Sequence, residues 1–442
     1  MIKRLGALLL TAVMCVSVVG CGNNKTGKKT DSSGKKGTSA TAEDTFFDNI
    51  PESLEGTTVR FATWIDHNSN ESADTIANFT ALTGINVQID ITPSTEYTNK
   101  IAALIAAGQS PDVLVNVERF PAILPLLMPL EDTIINPSDP FWSKNTTKWS
   151  TINGHTYLVN AANSAWNMDG GIVAYNNRIF EDNGITTPAT YVQEGKWTLD
   201  NFFKCAKELS KVCSLAGVSI DPERFVMAYG EPMIIYDVDN QKFVNNCKSE
   251  SVLKYWQMLA KAREDGYAKI KESRTEFGGG GTGMFFGGSY GLRKTGWFEE
   301  MDLDDLSFTY MPKKDDNSDY PSFAGTRGYG ICQGASNVDG AAYFLRYFLN
   351  MDNYNKADVF KSEEAADLYD EINKNVNYTN IYHSYAVEYM LYPENFPTIL
   401  GVVFPDLLTC TESQVATALN SASNTLDNCI SKANDVINKM PK

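Results

Sequence analysis

Apolar and polar positions alternate along Thr58-Val59-Arg60-Phe61-Ala62-Thr63-Trp64, the pattern of a strand with one buried face. Ile76, Phe79 and Leu82 then recur at helical spacing, and Gly84 stands where such a helix would end. Period two returns from Ile85 to Ile91. Ser94 can cap a second helix, whose inner face is Tyr97, Ile101, Leu104 and Ile105 and which Gly108 ends. Pro111-Asp112 leads into an apolar strand, Val113 to Val115. This β-α-β-α-β order predicts a parallel sheet flanked by helices. Far downstream, Ser336-Asn337-Val338-Asp339 reads as a capping box that opens an aromatic-rich helix to about Asn350. Ala416, Leu419, Ser423, Leu426 and Ile430 give a last helical stripe.

The amino end follows another logic. Lys3 and Arg4 precede an uncharged, mostly apolar run from Leu5 to Gly20, which is too short to span a bilayer as a helix. Residues 1–20 therefore read as an export signal. The run ends in Val18-Val19-Gly20-Cys21, which resembles the bacterial lipobox. That resemblance implies cleavage before Cys21 and its lipidation, palmitate included. Residues 21–45 are rich in Gly, Ser, Thr, Asn and Lys, cannot bury a core, and predict a solvated tether. An anchor with a tether places the folded body on the outer face of the cell membrane.

A chain of 442 residues is too long for one ordinary domain, so two lobes are expected. The whole chain carries −16, but residues 1–40 hold seven basic groups against one acidic, which leaves the remainder at −22. So acidic a body is a poor partner for nucleic acid and repels anionic solutes; neutral or cationic ligands fit better. Six cysteines follow Cys21; an even count in an exported protein permits disulfides, while their wide spacing without a CxxC pair favours buried, reduced thiols.

The stretch Phe79 to Val113 resembles the opening of the family 1 extracellular solute-binding proteins: Thr83-Gly84-Ile85 entering a strand, the helix from Tyr97 through Lys100-Ile101 to Gly108, and the Ser110-Pro111-Asp112-Val113 turn. Three later stretches fit the same family. Gly171 to Asn177 resembles its second-lobe entry strand. Lys196-Trp197-Thr198-Leu199-Asp200 resembles a Trp-Thr helix start. Gly328-Tyr329-Gly330-Ile331, with Ser336-Asn337 after it, resembles the return strand and helix cap. The resemblance spans about residues 57–350. It implies a two-lobed α/β fold of the periplasmic-binding type II kind, each lobe a mostly parallel sheet flanked by helices, joined by a hinge of about three crossovers. One lobe is expected from 46–162 with 326–380, the other from 163–325 with 381–442.

Two catalytic patterns occur and carry less than they promise. Gly278 to Gly283 formally matches G-x-G-x-x-G but lacks a following helix and a Walker lysine. Gly287-Gly288-Ser289-Tyr290-Gly291 matches the nucleophile elbow, with His383 downstream, so a lipid-anchored serine hydrolase using Ser289 and His383 is the alternative from another class. Its short apolar strand and poor following helix weigh against it. The histidines His67, His155 and His383 are too scattered for zinc, and Asp237-x-Asp239-Asn240 starts a calcium loop whose twelfth position is Lys248 rather than Glu. No metal, cofactor or catalytic residue is expected.

Ligands of open α/β sheets sit beyond the carboxyl ends of strands and between domains. That rule selects Trp64, Asp66 and Asn68 (with His67) after the first strand, and Asn116 and Glu118 (with Arg119) after the third. It adds Trp166 and Asp169 (with Asn167) at the first crossing and Phe286 and Tyr290 (with Ser289 and Trp297) by the glycine loop. The return crossing offers Arg327 (with Thr326). Aromatic faces with carboxylates, amides and guanidinium groups suit a sugar. Trp142, Trp149 and Trp256 read as core. The expectation is a monomeric receptor that delivers a sugar or oligosaccharide to ABC-transporter permease subunits by hinge closure; within the binding class, peptides or polyamines are the alternative ligands. Mass spectrometry of membrane fractions should find Cys21 as the first residue, carrying lipid; unmodified soluble protein beginning elsewhere refutes the anchor.

Overall fold

The computed structural model describes residues 45–94, 96–116, 119–166, 170–271, 273–298, 301–321, 327–374, 405–421 and 423–442. The export signal, Cys21 and the tether up to residue 44 lie outside these, as do Glu118, Asn167, Asp169, Thr326 and His383. Thirteen strands occur among the described residues: β1 (Thr58–Thr63), β2 (Asn86–Ile91), β3 (Val113–Asn116), β4 (Thr151–Ile152), β5 (His155–Thr156), β6 (Gly171–Asn176), β7 (Ala216–Ile220), β8 (Ile234–Asp237), β9 (Lys242–Asn245), β10 (Ala268–Ile270), β11 (Thr282–Gly288), β12 (Leu306–Tyr310) and β13 (Gly328–Ile331).

The opening pattern gives the first sheet directly. β1 pairs parallel with β2 and β3, with Phe61 opposite both Ile89 and Val113. The helix Ala73–Thr83 ends at Gly84 in the left-handed region, φ 72°, where glycine escapes the clash a Cβ would suffer. β13 returns from far along the chain to pair antiparallel with β3, giving the order β13-β3-β1-β2. Two local expectations fail. Ser94 does not cap the helix Tyr97–Ala106, which starts two residues later behind Glu96, and Leu82 is exposed, because the buried stripe of its helix runs through Ile76, Phe79 and Thr83.

The second sheet has the order β10-β7-β11-β6-β12. β10, β7, β11 and β12 point the same way, while β6, set between β11 and β12, runs against them. Four of its five strands thus share a direction, as expected of a mostly parallel sheet, and β6 alone is reversed. The reason is topological: β6 arrives directly from the first sheet and pairs antiparallel with both neighbours, where parallel pairing needs a helical crossover. Thr198 caps the helix Leu199–Leu209 by accepting from the Asn201 amide. That helix lies so close to β7 that a Cβ on Gly217 would stand 1.8 Å from the Ala206 carbonyl oxygen.

Among the described elements the chain passes between the sheets three times: from β3 to β6, from β12 to β13, and after the helix Val338–Leu349. The third passage leads to the helix Glu363–Lys374, which packs on β12 of the second sheet although it falls within the 326–380 stretch expected in the first lobe. The β8–β9 hairpin carries Tyr236 and Phe243 onto Phe120, which itself packs edge-on against Trp149 at 5.0 Å. The final helix, Ser423–Asn438, lies along β9. The Asp237–Asn240 motif is this hairpin's turn. The six cysteines are free thiols, five of them buried, and Trp142, Trp149 and Trp256 are core.

One carboxylate joins the distant pieces. Asp112, fully buried in the turn before β3, accepts from the amides of Arg60 (2.9 Å), Ser336 (2.8 Å) and Asn337 (2.8 Å) and from the Ser336 hydroxyl (3.2 Å). Ser336 is therefore not the helix cap; Asn337 is, accepting from the Gly340 amide at 3.0 Å. Hydrogen bonds to a charged group contribute about 1.5–3 kcal/mol each, and stranding three buried amides adds cost. Replacing Asp112 by Ala should lower unfolding free energy by about 3–5 kcal/mol in urea titrations; a loss below 1 kcal/mol contradicts this account.

Candidate functional site

Parallel strands end on a common edge, and the two sheets each present one. On the first sheet the carboxyl ends of β1 and β3 meet the amino end of β13, with Asn116 in register with Gly328. Trp64 continues β1. Its ring is half-buried, packed edge-on against Tyr97 at 5.0 Å, with the Arg119 guanidinium 4.8 Å from its centroid. Tyr97 is a fixed support: its hydroxyl donates to the Ala62 carbonyl at 2.7 Å and accepts from the Val115 amide at 3.1 Å, tying β1 to β3. Arg119 is fully buried and donates to the Ser94 carbonyl at 2.5 Å. Beyond Trp64 the loop is exposed at Asp66 and Asn68. The Asp66 carboxylate accepts from the Ser69 hydroxyl at 2.9 Å and the Asn68 amide at 3.1 Å, which holds it below the usual carboxylate range.

Arg327, half-buried, stands one residue before β13 at this same edge. Its charge is felt by His67, which is 2% exposed and stacked on Phe61 at 5.4 Å. Burial first, then the positive charges of Arg327 and Arg293, push the His67 imidazole down to about 3. His67 is therefore a neutral core group whose Nδ1 bonds the Ser72 hydroxyl at 3.1 Å.

The second edge is formed where β7 and β11 end beside the start of β6 and the end of β12. Asp221 follows β7 and caps the helix Pro222–Tyr229, accepting from the Arg224 amide at 3.1 Å while pairing with the Arg224 guanidinium. Asp221, Glu223 and Arg224 are all about 95% buried, three charged groups packed into one strand end. They are the residues that sequence reading missed; the Asp-Pro-Glu-Arg helix start was the available signal, but β7 before it carried no clear alternation because all five of its positions are buried. Gly288 needs its missing side chain: a Cβ there would stand 3.0 Å from the Arg224 guanidinium and 3.1 Å from Trp297. Tyr290 is half-buried, its hydroxyl donating to the Thr295 carbonyl at 3.1 Å and its ring meeting Trp297 edge-on at 5.8 Å. Arg274 covers Trp297, 3.7 Å from the ring centroid. Tyr310, at the end of β12, stacks on Tyr320 at 4.7 Å.

Two expected site residues are elsewhere. Phe286 is wholly buried among Phe202, Phe225 and Tyr229, because β11 is a central strand covered on both faces. Trp166 is 1% exposed, stacked on Phe348 at 5.6 Å and donating to the Tyr354 hydroxyl at 3.0 Å. Neither ring reaches the exposed edge. β11 is also longer than expected, seven residues, but Ser289 opens only a four-residue 3-10 turn, so the strand-to-helix elbow is absent. The Ser289 hydroxyl is buried and bonded to no group among the described residues; His383, its candidate base, lies outside them. Among the described residues no three His, Cys, Asp or Glu side chains are placed to hold a metal, and no helix is long and apolar enough to cross a membrane. Among the described residues the arrangement offers aromatic edges and planar charged groups, which suit binding.

A family model described as bacterial extracellular solute-binding protein matches residues 74–361. No curated protein sequence matches the chain. Among solved structures, the cyclic alpha-maltosyl-1,6-maltose binding protein of Arthrobacter globiformis is 15% identical, with a TM-score of 0.59 over 87% of this chain and 100% of that one. The sugar-binding protein MalE of Xanthomonas citri is 15% identical, with a TM-score of 0.58 over 87% and 100%. An extracellular solute-binding protein of Staphylococcus aureus, in complex with maltose, is 14% identical, with a TM-score of 0.56 over 86% and 98%. These likenesses show a two-lobed fold.

Because His67 stays neutral in the fold but takes a proton below its ordinary value of 6.5 once unfolded, it stabilises the protein fully above that pH and less as pH falls toward 3. Wild-type stability should fall more steeply than that of a His67→Gln variant between pH 6 and pH 4, by about 1.4 kcal/mol per pH unit. Chemical denaturation across that range measures it; parallel slopes refute the assignment.

Proposed function

This chain belongs to the family of bacterial extracellular solute-binding proteins, and on that premise we propose that it binds a sugar or oligosaccharide outside the cell and delivers it to an ABC importer. The observation that carries the reading is the pairing of strand ends: each sheet ends in a half-buried aromatic, Trp64 on one and Tyr290 on the other, accompanied by planar charged groups. Sugar C–H faces pack on such rings, and hydroxyls bond carboxylates and guanidinium groups at fixed angles. The similar structures named above, two of them malto-sugar binders by description, support the same class. The −22 charge outside the first 40 residues disfavours an anionic ligand.

In this reading Asp66, Asn68, Asn116, Glu118, Asp169 and Arg327 supply the polar contacts beside the two rings. Residues 46–162 with a return from about 326 form one lobe, and 163–325 with the C-terminal helices form the other. Ligand draws the lobes together, since only a closed form lets both edges touch it. The closed monomer docks on permease subunits, and lipid on Cys21 keeps it at the outer face of the membrane.

Truncating Trp64 or Tyr290 to Ala should weaken carbohydrate binding roughly tenfold or more, at about 1.4 kcal/mol per decade, with the fold retained. Salt should change little, because a neutral ligand leaves no long-range charge term to screen. Thermal-shift screening with mono- and oligosaccharides identifies the ligand, and calorimetry at two ionic strengths tests both statements. Affinity that collapses with salt, or that ignores both truncations, overturns the neutral-sugar reading.

A further inference from the structure

We propose that the buried Glu71–Arg293 ion pair is the pivot about which the two lobes turn. Glu71 lies in the loop after β1 of the first sheet. Arg293 follows the turn after β11 of the second. The Arg293 Nε donates to Glu71 Oε1 at 2.7 Å, its Nη2 lies 2.5 Å from the same oxygen, and the Thr295 hydroxyl donates to Glu71 Oε2 at 2.7 Å. The two charged side chains are 1% and 3% exposed.

Arg293 also touches two of the three passages between the sheets. Its Nη1 donates to the Ala165 carbonyl at 2.8 Å in the first, and its guanidinium lies 4.7 Å from the Trp166 ring centroid. Its backbone bridges to Phe360 in the third, beside the bond from the Lys294 amide to the Val359 carbonyl at 2.9 Å. Trp166 links the same two passages through Tyr354. One side chain thus contacts both lobes and the strands that join them.

The energetics place the axis here. Separating a buried ion pair strands two charges in a medium that cannot hydrate them, and breaking such a pair is strongly destabilising. A rotation displaces atoms in proportion to their distance from its axis. The contact hardest to break is therefore compatible with lobe motion only where displacement is least. Other contacts between the lobes differ in kind: the hairpin tip at Gln241 meets the Asn153 amide (3.1 Å) where water can replace it, and Tyr236 and Phe243 pack on Phe120 without charge, so sliding there strands none. Trp166 acquires a role in this arrangement: it is packing for the pivot and not a platform for ligand.

The inference rests on the closure proposed above but not on which sugar causes it. The test places spin labels at the exposed positions Asn86→Cys and Lys211→Cys, one on each sheet's flank, in a Cys213→Ser background, and measures the distance distribution without ligand and with a sugar that binds. The Glu71→Met/Arg293→Met double variant leaves no unpaired buried charge and should fold while broadening the ligand-free distribution about twofold relative to wild type. Arg293→Lys keeps the charge but cannot hold Glu71 and Ala165 together, and should broaden it less; it decides the question if the double variant does not fold. A folded variant with the wild-type width overturns the pivot. A wild-type distance that bound sugar leaves unmoved overturns closure itself, and the pivot with it.

Discussion

The Asp112 carboxylate is a small group on which a large arrangement depends. Its acceptors take the amides of Arg60, Ser336 and Asn337, and so fasten the returning chain to a turn 225 residues before Asn337. That fastening adds to the register β13 takes against β3. With it, Arg327 is delivered to the strand edge where Trp64 stands, and the helix Val338–Leu349 is laid over β1. A buried carboxylate is costly unless its oxygens are filled, and here backbone donors fill them. The Ser-Pro-Asp-Val turn is thus an element of architecture and not a contact for ligand.

The same separation of duties runs through the aromatic side chains. Phe286 and Trp166 are large, central and fully packed; Trp64 and Tyr290 are half-packed, each with a side held by protein. Rigid support on one side and solvent on the other is what a stacking platform requires, since a ring already ordered loses little freedom when a ligand meets it. Arg119 and Tyr97 give Trp64 that support. At the second edge three buried charges, Asp221, Glu223 and Arg224, crowd one strand end, held in part by the Asp221–Arg224 pair. Charges are concentrated where strands stop because helix caps there can satisfy them.

By itself the sequence determined the first sheet, from the period-two runs before Ile91 and the apolar run at Val113–Val115, with the helices between them and their glycine ends. These are local signals: alternation, cap and breaker act within a few residues, and a window of sequence contains them whole. It determined the edges from which ligand contacts were to be sought, because parallel strands fix where their loops emerge. The second sheet was legible only in part. β7 and β11 are buried on both faces, so their residues show no alternation to read. The antiparallel setting of β6 between β11 and β12 depends on partners that lie far along the chain, and no local pattern encodes that choice. Tertiary structure alone decided that Trp166 and Phe286 face inward, that Asp221 and Arg224 close over Gly288, and that Glu71 meets Arg293. The reason is physical: a side chain's type fixes what it can bind, but its burial and its partner are properties of the space left by everything packed around it.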